Sequence, residues 1–178
     1  MDLLILKLNK MKRVILLIAV TLAATFACAQ DMKFGVRGGI DMVSAKATYD
    51  DGFGNSYAST ASTTGFYVGG FADFSIADKV TVEPGIAYHA ASKDGTKLNF
   101  LSVPVTFKYE VAEKINVLAG PALFYNMDAD AQDKTTFNLD LGGSYDITEN
   151  LFVDPRYSIG LSGDVKVNHF LLGVGYRF

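Results

Sequence analysis

The sequence has few of the residues that most often carry chemistry, with one cysteine, two histidines and no tryptophan among 178 residues. Thiol chemistry would rest on Cys28 alone, and imidazole chemistry on His89 and His169. Such a small set gives no recognisable spacing for a metal centre or a catalytic thiol. No catalytic residue, cofactor site or metal site is therefore predicted, and we expect a protein that is not an enzyme.

Long apolar runs are also missing from most of the chain. After residue 27, no stretch approaches the roughly eighteen apolar residues of a membrane-spanning helix, so a helical membrane protein is not predicted. Seventeen glycines, nine tyrosines and thirteen phenylalanines favour sheet over helix. The length suits one domain with a targeting segment.

The N-terminus has the pattern of a signal peptide. A short basic region at residues 11–13 precedes an apolar stretch at 14–26, and Ala27-Cys28-Ala29 fits signal peptidase. We predict a signal peptide over residues 1–29, in which residues 1–10 are an extension from an upstream start site, and a domain over 30–178. Cys28 as a lipoprotein cysteine is the alternative, although Thr25 and Phe26 fit that motif poorly.

The predicted mature chain lacks an excess of basic residues. Residues 1–29 hold four basic residues and one acidic residue, so 12 basic and 18 acidic residues remain, a net charge of -6. This excludes a basic footprint for nucleic acid. With Cys28 removed, the domain relies on no disulfide.

The C-terminal stretch alternates strictly between two faces. Phe170, Leu172, Val174, Tyr176 and Phe178 form an apolar face with aromatic residues at both ends, and the intervening residues are mostly polar or small. This alternation predicts a β-strand between two different environments, of the length that a tilted strand needs to cross a bilayer.

Three segments repeat at a period that indicates hairpins. The segments 76–84, 111–117 and 147–155 share an apolar residue, a small residue, an acid, Lys or Asn, and then alternating apolar positions. Their starts lie 35 and 36 residues apart, which suits two ten-residue strands with their connections. The full pattern predicts eight strands, near residues 31–42, 64–74, 80–90, 98–109, 115–125, 135–145, 151–161 and 167–178. It also predicts long loops at 43–62 and 126–134.

The outward faces of these strands are predicted to carry no charge. Aromatic girdles are predicted at Phe74, Tyr109, Tyr145 and Tyr176 at one level and at Phe66, Tyr88, Tyr125, Phe137 and Phe170 at the other. Apolar residues fill the band between them: Val36, Ile40, Val68, Val82, Ile86, Val103, Val105, Val117, Leu139, Leu141, Val153, Ile159, Leu172 and Val174. Four prolines oppose the barrel, because each removes a ladder donor; we expect them at bulges or strand ends.

A family resemblance rests on the signal peptide, the run Gly-Phe-Tyr-Val-Gly-Gly-Phe at 65–71, the strand start at 97–104, Ala119-Gly-Pro121 and the C-terminal strand. In these features, the chain resembles small bacterial outer-membrane β-barrel proteins of the porin family. It is similar in size to OmpX and the OmpA transmembrane domain. The resemblance implies an all-β, eight-stranded, antiparallel up-and-down transmembrane barrel in the bacterial outer membrane. It also implies that Tyr176 and Phe178 form the signal read by the barrel-assembly machinery.

The inward positions are predicted to hold a balanced set of charges. We expect a lumen charge network formed by Arg37, Asp41, Glu83, Asp140, Asp154 and Arg156, with Lys33, Asp73, Lys108 and Arg177 also inward. An eight-stranded barrel has room for these side chains but not for an open channel. A side-chain-filled interior is therefore predicted, and a narrow porin or transport channel for ions or small solutes is the alternative.

Loops on such a barrel are the predicted contact sites. We expect Tyr49, Phe53 and Tyr57 to contact an unidentified envelope or extracellular partner, or else to pack over the barrel mouth. The other expected partners are outer-membrane lipid and the assembly machinery, with the protein a monomer. A lipid-deacylating site pairing His169 with Ser158 or Ser162, and a soluble ligand-holding barrel, are the weaker alternatives.

Overall fold

A computed structural model describes residues 32–50, 56–93, 96–127, 134–162 and 165–178. The predicted signal peptide and its extension lie outside these residues, as does Phe53. In the described part of the chain, no helix is long and apolar enough to span a membrane.

Eight antiparallel strands form one closed barrel in chain order, as the sequence predicted. Each strand pairs with its neighbours in sequence, and β8 closes the barrel against β1. The strands are β1 (Met32–Asp50), β2 (Ser56–Ala77), β3 (Val80–Lys93), β4 (Thr96–Ala112), β5 (Ile115–Asn126), β6 (Thr135–Asp146), β7 (Leu151–Gly160) and β8 (Val165–Arg177).

The three sequence repeats mark the three tight turns, at residues 78–79, 113–114 and 147–150. In the first two turns, Lys79 and Lys114 adopt the left-handed conformation, with φ of 64° and 66°. A register shift precedes each of these turns, between Ser75 and Ala77 and between Glu110 and Ala112. The start of β1 and the end of β8 lie at the same end of the barrel, which we call the turn end.

The prediction of a loop over residues 43–62 was wrong for most of its length. β1 and β2 remain paired from Met32↔Phe74 to Asp50↔Ser56, so both strands extend well beyond their predicted ends. The Ser, Thr and Ala residues of this stretch hid the pairing, because backbone hydrogen bonds do not require an apolar face.

Strand alternation places apolar side chains on the outer surface, as predicted. All fourteen predicted positions of the outer band are exposed or half-buried, and every aromatic residue of the two girdles except Phe74 is exposed. Phe74 is buried instead, together with its neighbour Asp73. The bulge after Ser75 breaks the alternation there, and bulges bend and twist a strand locally. Lys33, predicted to face inward, is exposed at the turn end.

The prolines lie within strands, so their predicted placement at bulges or strand ends was wrong. Pro84, Pro104, Pro121 and Pro155 lie where the β2–β3, β3–β4, β4–β5 and β6–β7 ladders respectively skip two residue pairs. Each ladder resumes without a register shift, because the flanking pairs hold the two strands together. The barrel therefore accommodates a missing donor by a local gap in one ladder.

Inward-facing glycines make room for the rings that fill the interior. A Cβ atom at Gly175 would overlap the Phe152 ring, and one at Gly35 would overlap the Phe71 ring. At Gly173, it would lie 2.6 Å from Oδ1 of Asp154. These positions on β1 and β8 are adapted to large buried side chains, so the interior is packed like a core.

Candidate functional site

The candidate site is the barrel interior, where nine of the ten charged residues predicted to face inward are buried. Each of these nine residues is at most 9% exposed, and Asp154 is fully buried. The interior divides into two parts, according to which side chains contact one another. We call them the charged layer (Arg37, Asp73, Glu83, Lys108, Asp146, Asp154, Arg156 and Arg177) and the histidine layer (Asp41, His89, Ser102 and His169).

Two arginines bridge two carboxylates at the centre of the charged layer. Arg37 on β1 contacts Glu83 on β3, and its Nη1 donates to Oδ2 of Asp154 on β7 at 2.8 Å. Arg156 on β7 donates from Nη2 to Oε1 of Glu83 at 2.9 Å and from Nε to Oδ2 of Asp154 at 3.0 Å. The remaining Nη1 of Arg156 donates to Thr106 on β4. The four groups thus connect strands from opposite sides of the barrel.

The charged layer continues towards the turn end. Lys108 contacts Glu83 and also donates to Oδ1 of Asp73 at 2.7 Å. Arg177 then joins Asp73 to Asp146, at 2.9 and 2.7 Å. Asp146 was not among the predicted inward residues, because the predicted sixth strand ended at residue 145. The inward parity of Asp140 and Ser144, continued by one step, would have included it.

Two aromatic rings pack between the cations of this layer. The guanidinium carbon of Arg37 lies 4.2 Å from the centroid of the Phe71 ring, and that of Arg177 lies 4.2 Å from the Phe152 ring. Lys108 lies within 6 Å of both rings, the range of a cation–π interaction. Four cations face four carboxylates in the layer, so their formal charges balance.

Asp41 and Asp140, grouped with the arginines in the sequence analysis, form no ion pair with Arg or Lys among the described residues. Asp41 lies four residues beyond Arg37 along β1, a rise of about 13 Å, and so belongs to a different level of the interior. Its Oδ2 lies 2.8 Å from Nδ1 of His89 and 3.0 Å from Nδ1 of His169. Asp140 lines a small cavity beside His89 and Ser102.

Aromatic rings enclose the histidine layer. The His89 ring stacks on Tyr67 at 5.5 Å, and the His169 ring stacks on Phe124 at 4.4 Å. Phe100 meets His169 edge to face. Both imidazoles are at most 2% exposed, so their orientation is fixed by packing as well as by hydrogen bonds.

Ser102, His89 and Asp41 are linked in the order of a nucleophile, a base and an orienting acid. Ser102 Oγ lies 2.8 Å from Nε2 of His89, whose Nδ1 bonds Asp41. A hydrolase also needs space for a substrate at the nucleophile. The neighbouring cavity measures about 30 Å³, enough for a water molecule but not for an acyl group. Ser158 is the register partner of His169 across β7 and β8, but its Oγ accepts from Asn138. No hydrogen bond joins His169 to Ser158 or Ser162 among the described residues.

The remaining predicted site residues lie at the two ends of the barrel. Tyr49 and Tyr57 are register partners in the extended part of β1 and β2, and Tyr57 is exposed. Tyr176 and Phe178 are exposed at the turn end, with ring centroids 5.5 Å apart. The backbone N–H of Phe178 donates to the carbonyl of Phe34, which ties the chain end to β1.

Glu83 is the carboxylate whose loss we expect to cost most stability, because three cations contact it. Glu83→Gln leaves those cations buried with an uncompensated charge, which costs about 3–5 kcal/mol. Glu113→Gln, in an exposed turn, is the matched control and should change stability by less than about 0.5 kcal/mol. Equilibrium unfolding in urea measures both. Equal effects of the two substitutions would contradict the pairing described here.

Solved structures show the same architecture in other proteins. The attachment invasion locus protein Ail of Yersinia pestis is 18% identical, with a TM-score of 0.57, and the alignment covers 84% of this chain and 100% of Ail. Neisserial surface protein A, NspA, is 17% identical, with a TM-score of 0.52, and the alignment covers 84% of this chain and 100% of NspA. At these identities, the likeness concerns the fold.

The sequence itself matches a family model. No curated protein matches the sequence. The model of the outer membrane protein beta-barrel domain matches residues 14–178, nearly the whole chain. Together with the closed barrel and its apolar outer band, this match places the protein in the bacterial outer membrane. The chain belongs to the outer membrane protein beta-barrel domain family.

Proposed function

We propose that the protein is a closed, non-enzymatic outer-membrane scaffold that presents its extended β1–β2 hairpin to a partner outside the membrane. The observation that carries the proposal is the charged layer, in which Arg37 and Arg156 each bridge Glu83 and Asp154 inside the barrel. Side chains paired in this way fill the cross-section that a channel would need. The narrow channel considered from the sequence is therefore the less favoured function.

The closed interior predicts an electrically silent protein. Folded protein reconstituted in a planar bilayer should give no steady single-channel openings, since conduction would require breaking several buried ion pairs. Heat-modifiable migration on a gel shows that the reconstituted protein is folded. Steady openings whose ion selectivity changes in Glu83→Gln or Arg156→Gln would mean that the charged layer lines a conducting path.

The β1–β2 hairpin is the part of the barrel best suited to contact a partner. Short turns of outer-membrane barrels face the periplasm, so the far end of this hairpin faces outwards. β2 pairs with β3 only up to Gly65↔Ala91, while it continues to pair with β1 as far as Ser56. Among the described residues, no strand pairs with the other edge of residues 56–62. Such an edge can add an extended segment of another protein, with Tyr57 as an exposed aromatic contact.

A photo-crosslinking amino acid tests this surface in living cells. Placed at Thr60, which is exposed on the extended part of β2, it should give a discrete protein adduct. Val68 is the matched control, because it lies on the same strand but within the apolar band. An adduct at Thr60 that is absent at Val68 supports the proposal. No adduct at Thr60, or the same adduct at both positions, would remove the hairpin as a docking site.

The C-terminal aromatic pair is proposed to act in assembly. Tyr176 and Phe178 present adjacent exposed rings at the turn end, where the periplasmic assembly machinery has access to an unfinished barrel. The completed barrel leaves no unpaired sheet edge between β1 and β8, which supports a monomer. Sedimentation of the detergent-solubilised protein would test that state.

Phe178→Ala should lower the amount of folded barrel in cells several-fold. Refolding of the purified variant in detergent should be nearly unchanged, because little of the Phe178 side chain is buried. Phe137→Ala, which removes another exposed aromatic residue, from the opposite girdle, is the control. Equal losses for both variants in cells would indicate a general effect of exposed aromatic residues.

A further inference from the structure

We propose that Asp41, His89 and His169 form a binding site for one divalent transition-metal ion, with Zn²⁺ as the probe that best fits the ligands. The three residues come from β1, β3 and β8, and their ligand atoms lie within 4.8 Å of one another. They include both histidines of the sequence. Two imidazoles and a carboxylate are a common zinc ligand set, and the remaining coordination position would take a water molecule.

The distances suit this coordination. Both Nδ1 atoms lie 2.8–3.0 Å from Oδ2 of Asp41, and neighbouring ligand atoms around a tetrahedral zinc ion are about 3.3 Å apart. To admit the ion, the two distances from Asp41 would have to lengthen by a few tenths of an ångström. The same distances also suit two hydrogen bonds, in which each Nδ1–H donates to Oδ2 of Asp41. The geometry alone is therefore compatible with either a metal ion or two protons between these atoms.

The charge balance favours the metal ion. The charged layer is neutral by itself, with four cations and four carboxylates. Above it, Asp41 and Asp140 are both buried and have no Arg or Lys ion pair among the described residues. With neutral imidazoles and both carboxyls ionised, this region would carry two negative charges. Buried charges require compensation, and one divalent ion supplies it.

Asp140 gives an independent indication that this region suits a cation. It is 4% exposed, and its Oδ1 has no hydrogen-bond partner. It lines the same cavity as His89 and Ser102. A carboxylate oxygen left without a donor beside two imidazoles is expected next to a bound cation, either through the metal-bound water or as a second charge that stabilises the ion.

Ser102 supplies the outer contact that metal-bound histidines usually have. Metal-ligating imidazoles hydrogen-bond through their second ring nitrogen, which fixes the tautomer. Nε2 of His89 lies 2.8 Å from Ser102 Oγ, so an Nε2–H donated to Ser102 would leave the Nδ1 lone pair for the metal. Because aromatic rings enclose the layer, we expect the ion to enter during folding. The proposal does not rest on the proposed function.

The test is metal content after refolding. Wild-type protein is refolded in detergent with Zn²⁺, freed of unbound metal by desalting, and measured by elemental analysis; about one ion per chain is expected. His89→Gln/His169→Gln should retain less than about one tenth of that amount. Asp73→Asn removes a buried carboxylate of the charged layer and should retain the ion. Ser102→Ala should weaken binding by about 10–100-fold.

A spectroscopic readout separates loss of binding from loss of folding. Co²⁺ in place of Zn²⁺ should give the visible absorption of a tetrahedral site in the wild type and in Asp73→Asn, but not in the double-histidine variant. Heat-modifiable migration shows which variants are folded. Folded wild-type protein that retains neither Zn²⁺ nor Co²⁺ would overturn the proposal and assign the histidine layer to protons. Equal binding by folded wild type and double variant would show adventitious metal only.

Discussion

Charge pairing inside the closed barrel is the constraint to which the other features are adapted. Hydrogen bonding around a closed sheet fixes the diameter of the barrel, and the inward positions must then be filled. Here they are filled by arginine, lysine and carboxylates whose mutual contacts cross from β1 to β3 and β7. Buried charges are costly unless each has its partners, so the layer favours a single arrangement of strands around it.

Glycine and aromatic residues make that arrangement possible. Gly35 and Gly175 leave space for the Phe71 and Phe152 rings, and those rings in turn lie against the cations of the charged layer. The outer surface follows the opposite rule, with apolar side chains towards lipid. The result is a barrel that is inverted relative to a soluble protein and has a solid interior.

The sequence was sufficient for the architecture because strand alternation and the hairpin repeat are local signals. Parity alone also predicted the inward Glu83, Asp154 and Arg156. It could not tell that Asp41 would meet two histidines from β3 and β8, because that contact depends on the relative height of three strands. The extension of β2 was not predicted, because its Ser and Thr residues resemble those of a loop. The burial of Phe74 was not predicted, because the alternation of apolar and polar residues in a sequence does not reveal a bulge.

The most direct test of the sealed interior is a double-mutant cycle between Arg37 and Asp154, using Arg37→Gln and Asp154→Asn. Unfolding in urea would be measured for the four proteins at low salt and at about 1 M salt, where the Debye length is about 3 Å. If the pair lies in a water-free interior, the coupling energy should be at least about 1.5 kcal/mol and nearly independent of salt. A coupling energy near zero, or one that disappears at high salt, would mean that water reaches the charged layer and that the barrel is not closed.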